Sequence, residues 1–129
     1  VCNNLFKFSP YACRMAVNWA YREEEFIKRA AFVLMATLAV GDKKLEDAKF
    51  GKFLPLIIYH STDPRNYVKK AVNWALRQIG KRNHALNNLA IETAEKISNI
   101  DSETARWIAS DALRELKGKA VQKRLGRDG

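Results

Sequence analysis

The chain is poor in the residues that build metal, redox and nucleophile sites. Its two cysteines, Cys2 and Cys13, make no disulfide framework, and no Cys/His spacing matches a zinc site. A reducing, intracellular (cytoplasmic) compartment is the default expectation. There is no phosphate-loop glycine motif and no Ser/His/Asp or Cys/His arrangement for nucleophilic catalysis. The two histidines, His60 and His84, sit at element ends without partner spacing and read as incidental. No apolar run reaches the roughly 18 residues that a membrane-spanning helix needs, and no signal-peptide pattern opens the chain. The longest apolar stretch, Ala30 to Val40, is interrupted only by Thr37 and reads as a buried helix. Strand alternation is absent, and the six glycines fall in expected breaks or near element ends. Helix is the only regular structure left.

What the chain does have is positive charge. Its 23 Lys and Arg stand against 14 Asp and Glu, a net +9, with an isoelectric point near 9.8. That excess favours a polyanion, nucleic acid first and an anionic membrane second. The plainer alternative is a solvated basic surface, and only the arrangement of the charges can separate the two. At 129 residues and 47% hydrophobic, the chain is one domain's worth of material and can bury a core.

The arrangement is repetitive. Phe26-Ile-Lys-Arg-Ala-Ala-Phe-Val-Leu-Met-Ala returns as Tyr67-Val-Lys-Lys-Ala-Val-Asn-Trp-Ala-Leu-Arg, and more loosely as Thr104-Ala-Arg-Trp-Ile-Ala-Ser-Asp-Ala-Leu-Arg. The offsets of about 41 and 37 residues suit two-helix solenoid repeats. Such units cannot bury their faces alone, so they stack and line equivalent positions along one surface. The expected helices begin with Ser9-Pro10, a capping hydroxyl before a proline whose missing N–H costs nothing, and run to about Arg22. Glu23-Glu24-Glu25 opens the second, which ends at Gly41-Asp42. Leu45 to His60 forms the third, bent or broken at Pro55. Further helices span about Pro64 to Gly80, Asn83 or His84 to Ser98, and Asp101-Ser102 to Lys117. The expected fold is all-α, a solenoid of about six helices in antiparallel pairs. Residues 1–117 form the repeat domain, and a basic tail, 118–129, frays.

On the Pro64 to Gly80 helix, Val68, Ala71, Val72, Ala75, Leu76 and Ile79 share the core stripe. Asn66, Lys70, Asn73, Arg77 and Lys81 share the opposite face, and Trp74 falls among them. A tryptophan among cations is either covered by a neighbouring repeat or exposed to meet a base, a sugar or a cationic ligand. Repeat arithmetic makes Trp107, Ser110, Asp111 and Arg114 equivalent to Lys70, Asn73, Trp74 and Arg77, and puts Arg29 in the place of Lys70 in the first repeat. Arg29 stands in an apolar helix, where a buried arginine calls for a carboxylate or phosphate partner. Trp19 reads as core. Asp111 either pairs with Arg114 or Lys70 or offers a free carboxylate on the same face.

Three segments carry a resemblance: Arg22-Glu-Glu-Glu-Phe-Ile-Lys-Arg-Ala-Ala-Phe-Val-Leu-Met-Ala, Asp63-Pro-Arg-Asn-Tyr-Val-Lys-Lys-Ala-Val-Asn-Trp-Ala-Leu-Arg-Gln-Ile-Gly-Lys and Ala105-Arg-Trp-Ile-Ala-Ser-Asp-Ala-Leu-Arg-Glu-Leu. They resemble the HEAT-like DNA alkylation repair proteins, the AlkD-type DNA glycosylases. The resemblance implies a HEAT-like α-solenoid that cradles duplex DNA and excises N3- or N7-alkylated purines, with no metal or cofactor. By position Trp74 matches the family tryptophan at the lesion, and Arg29, or its neighbour Lys28, matches the arginine that holds DNA near the scissile nucleotide. Arg65, Lys69, Lys70, Asn73, Arg77, Lys81, Trp107, Asp111 and Arg114 complete the expected DNA-binding set. The family's Trp-Asp…Asp segment precedes the stretch that Cys2-Asn-Asn-Leu-Phe resembles, so the main catalytic carboxylate is expected upstream of Val1. The expected partner is double-stranded DNA carrying alkylated purines, with no membrane, and the protein is a monomer or weak homo-oligomer. The rival expectations are a non-catalytic nucleic-acid-binding repeat module and a scaffold whose basic groove takes an acidic peptide.

Overall fold

The computed structural model describes residues 16–20, 24–41 and 47–128. They form seven helices and, among the described residues, no strand. In chain order these are α1 over 16–20, α2 Glu25–Gly41, α3 Asp47–His60, α4 Asn66–Gly80, α5 His84–Ser98, α6 Glu103–Leu116 and α7 Lys119–Asp128. Cys2, Cys13 and the expected helix start at Ser9-Pro10 lie outside the described residues.

The helices stack as a two-layered, solenoid-like array. α2, α4 and α6 lie side by side, with α4 packed along both neighbours, while α3 and α5 pair behind them and α5 crosses onto α4 and α6. The core runs between the layers. Phe32, Met35 and Leu38 of α2, Phe50, Phe53 and Ile57 of α3, and Leu76 and Ile79 of α4 are buried there, with Leu86, Ile97, Ile108 and Leu116. The six residues read as the stripe of α4 are all buried, so its outward face is fixed by elimination. Ala16 and Ala20 of α1 are buried in the same cluster, and Trp19 packs half-buried against it.

Local chemistry sets the helix starts. The Asn83 side chain accepts from the Leu86 N–H at 2.9 Å to open α5, and Ser102 Oγ accepts from Ala105 N–H at 3.2 Å to open α6. Each such cap is worth about 1 kcal/mol. Glu25 begins α2 and places its charge at the positive end.

Three expectations change. Pro55 does not break α3, which runs from Asp47 to His60. Phe53, Leu54, Leu56 and Ile57 on both sides of it are buried. At about 1.5–3 kcal/mol each, their burial outweighs the roughly 3 kcal/mol of an interior proline. Gly51, taken to lie near an element end, stands inside the same helix. The tail does not fray into coil. It forms α7, with Val121 and Leu125 buried and Gln122 Nε2 donating to the Leu116 carbonyl at 2.7 Å and to Asn87 Oδ1 at 3.1 Å.

Candidate nucleic-acid interface

The outward faces of α2, α4 and α6 carry an alternation of cations and rings. Arg29 on α2 lies over the Tyr67 ring of α4, with Cζ 5.5 Å from the centroid. One helix further on, Lys69 Nζ of α4 lies 4.8 Å from the ring centroid of Trp107 on α6. Tyr67 is 55% exposed and Trp107 41% exposed, so the rings stay open to a ligand. The negative ring faces attract the cations by about 0.5–1 kcal/mol at exposed sites, which orders the side chains without neutralising them. Lys70, next along α4, is exposed and has no ion-pair partner among the described residues.

Further along α4 the cations are already engaged. Arg77 Nη1 donates to Glu115 Oε1 at 3.2 Å, Lys81 Nζ lies 3.3 Å from the same oxygen, and Arg77 Nε is 3.7 Å from Asp111 Oδ2. Asp111 Oδ1 also accepts from Arg114 Nη2. Both carboxylate oxygens of Asp111 therefore face guanidinium groups, one from α4 and one from its own helix, rather than Lys70. Asn73 departs from its expected exposed position and is buried. Its Nδ2 donates to the Ile108 carbonyl at 3.3 Å and its Oδ1 accepts from Arg77 Nε at 2.8 Å, so it ties α4 to α6. Trp74 is half-buried against the core, between the two alternatives open for it.

The buried cation of α2 is Lys28, not Arg29. Lys28 is 7% exposed and its Nζ donates to Asp63 Oδ2 at 3.3 Å. Arg29, one position on, turns outward because Lys28, Ala31 and Phe32 take the inward positions. Asp63 also accepts from Arg65: Nε at 3.0 Å, Nη2 at 2.7 Å and the backbone N–H at 3.1 Å. The Arg65 contacts, ahead of Lys28, hold the Asp63 carboxyl down at about 2, against the upward push of burial. Lys28, Asp63 and Arg65, with Tyr59, His60, Thr62 and Pro64, line an open pocket of about 750 Å³ beside the start of α4. Two cations to one carboxylate leave it net positive.

Arg82 was not singled out from the sequence. Its Nη1 donates to the Ala39 carbonyl at the end of α2 (3.0 Å) and its guanidinium lies 4.5 Å from the Phe50 ring centroid, joining α2, α3 and the α4–α5 turn. Among the described residues no group of three His, Cys, Asp or Glu side chains is placed to hold a metal ion, and no helix is long and apolar enough to cross a membrane.

Residues 2–116 fit the family model described as DNA alkylation repair enzyme. No curated protein and no solved structure matches the chain.

Proposed function

The chain belongs to the DNA alkylation repair enzyme family, and on that footing we propose that it binds duplex DNA across α2, α4 and α6 as part of an AlkD-type, HEAT-like glycosylase. The observation that carries this reading is the exposed cation–ring alternation, Arg29 over Tyr67 and Lys69 over Trp107. Phosphates take the cations, while rings accept a base or sugar edge. In this assignment Arg29, Lys69 and Lys70 meet the backbone first. Arg77 and Lys81 exchange Glu115 for phosphate, Arg114 exchanges Asp111, and Arg65 and Lys28 flank the site from the pocket. Trp107 offers its open face to DNA, and Trp74, with less surface free, reaches the lesion.

The substrate class is a purine alkylated at N3 or N7. Such a base is already cationic, so it leaves as a neutral molecule when the glycosidic bond breaks, and no acid has to protonate it. The sugar left behind is oxocarbenium-like and takes up water, and a nearby carboxylate stabilises it. The same electron-rich indole that attracts a cation attracts the charged base.

A second reading is a module that binds without cleaving. It is favoured by one observation: Asp63, Asp111 and Glu115 are all held by cations. The enzyme reading therefore assigns the sugar-stabilising role to a carboxylate outside the described residues. Base release from a duplex containing 7-methylguanine, measured beside binding to undamaged duplex, separates the two. Glycosylase function predicts release, and Trp74→Phe lowers release more than binding. Tight, salt-sensitive binding with no release moves the assignment to the non-catalytic module.

A further inference from the structure

The last helix carries charge that the interface on α2, α4 and α6 does not use. Residues 117–129 hold five cations and one acid, a net +4 out of the chain's +9. α7 divides cleanly: Val121 and Leu125 are buried, while Lys119, Lys123 and Arg124 are exposed. Lys119 and Lys123 have no ion-pair partner among the described residues. By contrast, Lys117 just before the helix is taken by Glu95 at 3.5 Å.

This placement costs the helix something. Lys119 and Lys123 are one turn apart, where like charges repel, and Lys119 stands in a first turn that holds no acid. An exposed helix with no other task relieves such repulsion with interspersed carboxylates. A membrane surface is a poor fit, because the apolar stripe that would enter it is already spent on the stack. The helix is also anchored: Gln122 bonds both the end of α6 and Asn87 of α5. Its cations are thus presented at fixed positions, about 6 Å apart along the axis from Lys119 to Lys123.

We propose that α7 is a second nucleic-acid contact, in which Lys119, Lys123 and Arg124 grip a phosphodiester backbone independently of base sequence. It lies beyond the residues that match the family and packs against the end of α6. It therefore lengthens the footprint on DNA rather than completing the lesion site. The proposal rests on the DNA-binding reading above.

The test is a salt titration of binding to an undamaged 30-base-pair duplex by the full chain and by the triple variant Lys119→Gln, Lys123→Gln, Arg124→Gln. Each lost phosphate contact flattens the log–log slope by roughly 0.9, so the variant's line should be shallower by about 2 to 3. The variant Lys119→Arg, Lys123→Arg keeps the charges and should keep the wild-type slope. Circular dichroism and thermal unfolding of the triple variant should show no loss against wild type, since all three side chains are exposed and their mutual repulsion is relieved. A steep wild-type line that the triple variant leaves unchanged overturns this proposal alone. A flat wild-type line overturns it together with the DNA-binding reading.

Discussion

At Asp63 four donors, one from Lys28 and three from Arg65, converge on one carboxylate, and the consequence is a pH-dependent lock between α2 and the turn before α4. A folded pKa of about 2 against the ordinary 3.8 means the ionised form is favoured by folding. Its contribution, roughly 2 kcal/mol, is full above pH 4 and is lost as pH falls from about 4 towards 2. Asp63→Asn should therefore destabilise the protein by about that amount at neutral pH, with Lys28 left buried beside a neutral amide. The gap between wild type and variant should close near pH 2, and urea unfolding across that range measures it. A variant as stable as wild type at pH 7 would show that Lys28 finds another partner. The same residues explain why Arg29 is open to a ligand. Two adjacent helical positions point about 100° apart, so burying Lys28 turns Arg29 towards Tyr67 and solvent.

At the scale of elements, two glycines in helices have opposite roles. Gly80 closes α4 where α5 and α6 come nearest. A Cβ there would lie 2.6 Å and 2.8 Å from the Leu116 methyls and 2.9 Å from Ala90 Cβ. Its carbonyl accepts from Asn87 Nδ2 at 2.9 Å, so the backbone is fixed as well. Gly80→Ala should cost about 1–3 kcal/mol through overpacking, despite the better helix propensity of alanine. Gly51 of α3 has nothing within 4 Å of that position. Gly51→Ala should stabilise by about 0.5–1 kcal/mol. Thermal or urea unfolding of the pair gives opposite signs if the three-helix junction is as tight as its distances say. Equal signs would mean that Leu116 yields. The periodicity of α4 was enough to mark its buried stripe. It could not mark Asn73, a polar residue that goes inside because Ile108 supplies an acceptor and Arg77 a donor from just the right distance.

Across the whole molecule the question is which positive charges are available. Glu115 holds Arg77 and Lys81, and Asp111 holds Arg77 and Arg114. Much of the charge on α4 and α6 is thereby balanced within the protein. Among the described residues Arg29, Lys69 and Lys70 on the proposed interface have no ion-pair partner, and neither do Lys119 and Lys123 of α7 or Lys49, Lys52 and Lys96 on α3 and α5. A phosphate that reaches Arg77 must compete with a carboxylate already in place, which weakens binding and flattens its salt dependence. Glu115→Gln should therefore tighten DNA binding at low salt and steepen the log–log slope by up to about 2, from two cations at roughly 0.9 each. Fluorescence anisotropy at several salt concentrations reads both. Weaker binding would mean that Glu115 positions Arg77 for its contact rather than withholding it.

The sequence by itself determined the helices, their repeat spacing and the buried stripe of α4, together with the resemblance that the family match bears out at the level of DNA alkylation repair. All of these follow from contacts within a turn or two of helix, where the 3.6-residue period orders the side chains. Tertiary structure decided which cations remain free. Lys28 meets Asp63 across 35 residues and Arg77 meets Glu115 across 38, distances in sequence at which no period speaks. It also decided that Pro55 stays within a helix and that the last residues fold, because burial of neighbouring apolar side chains against other helices supplies what local propensity lacks.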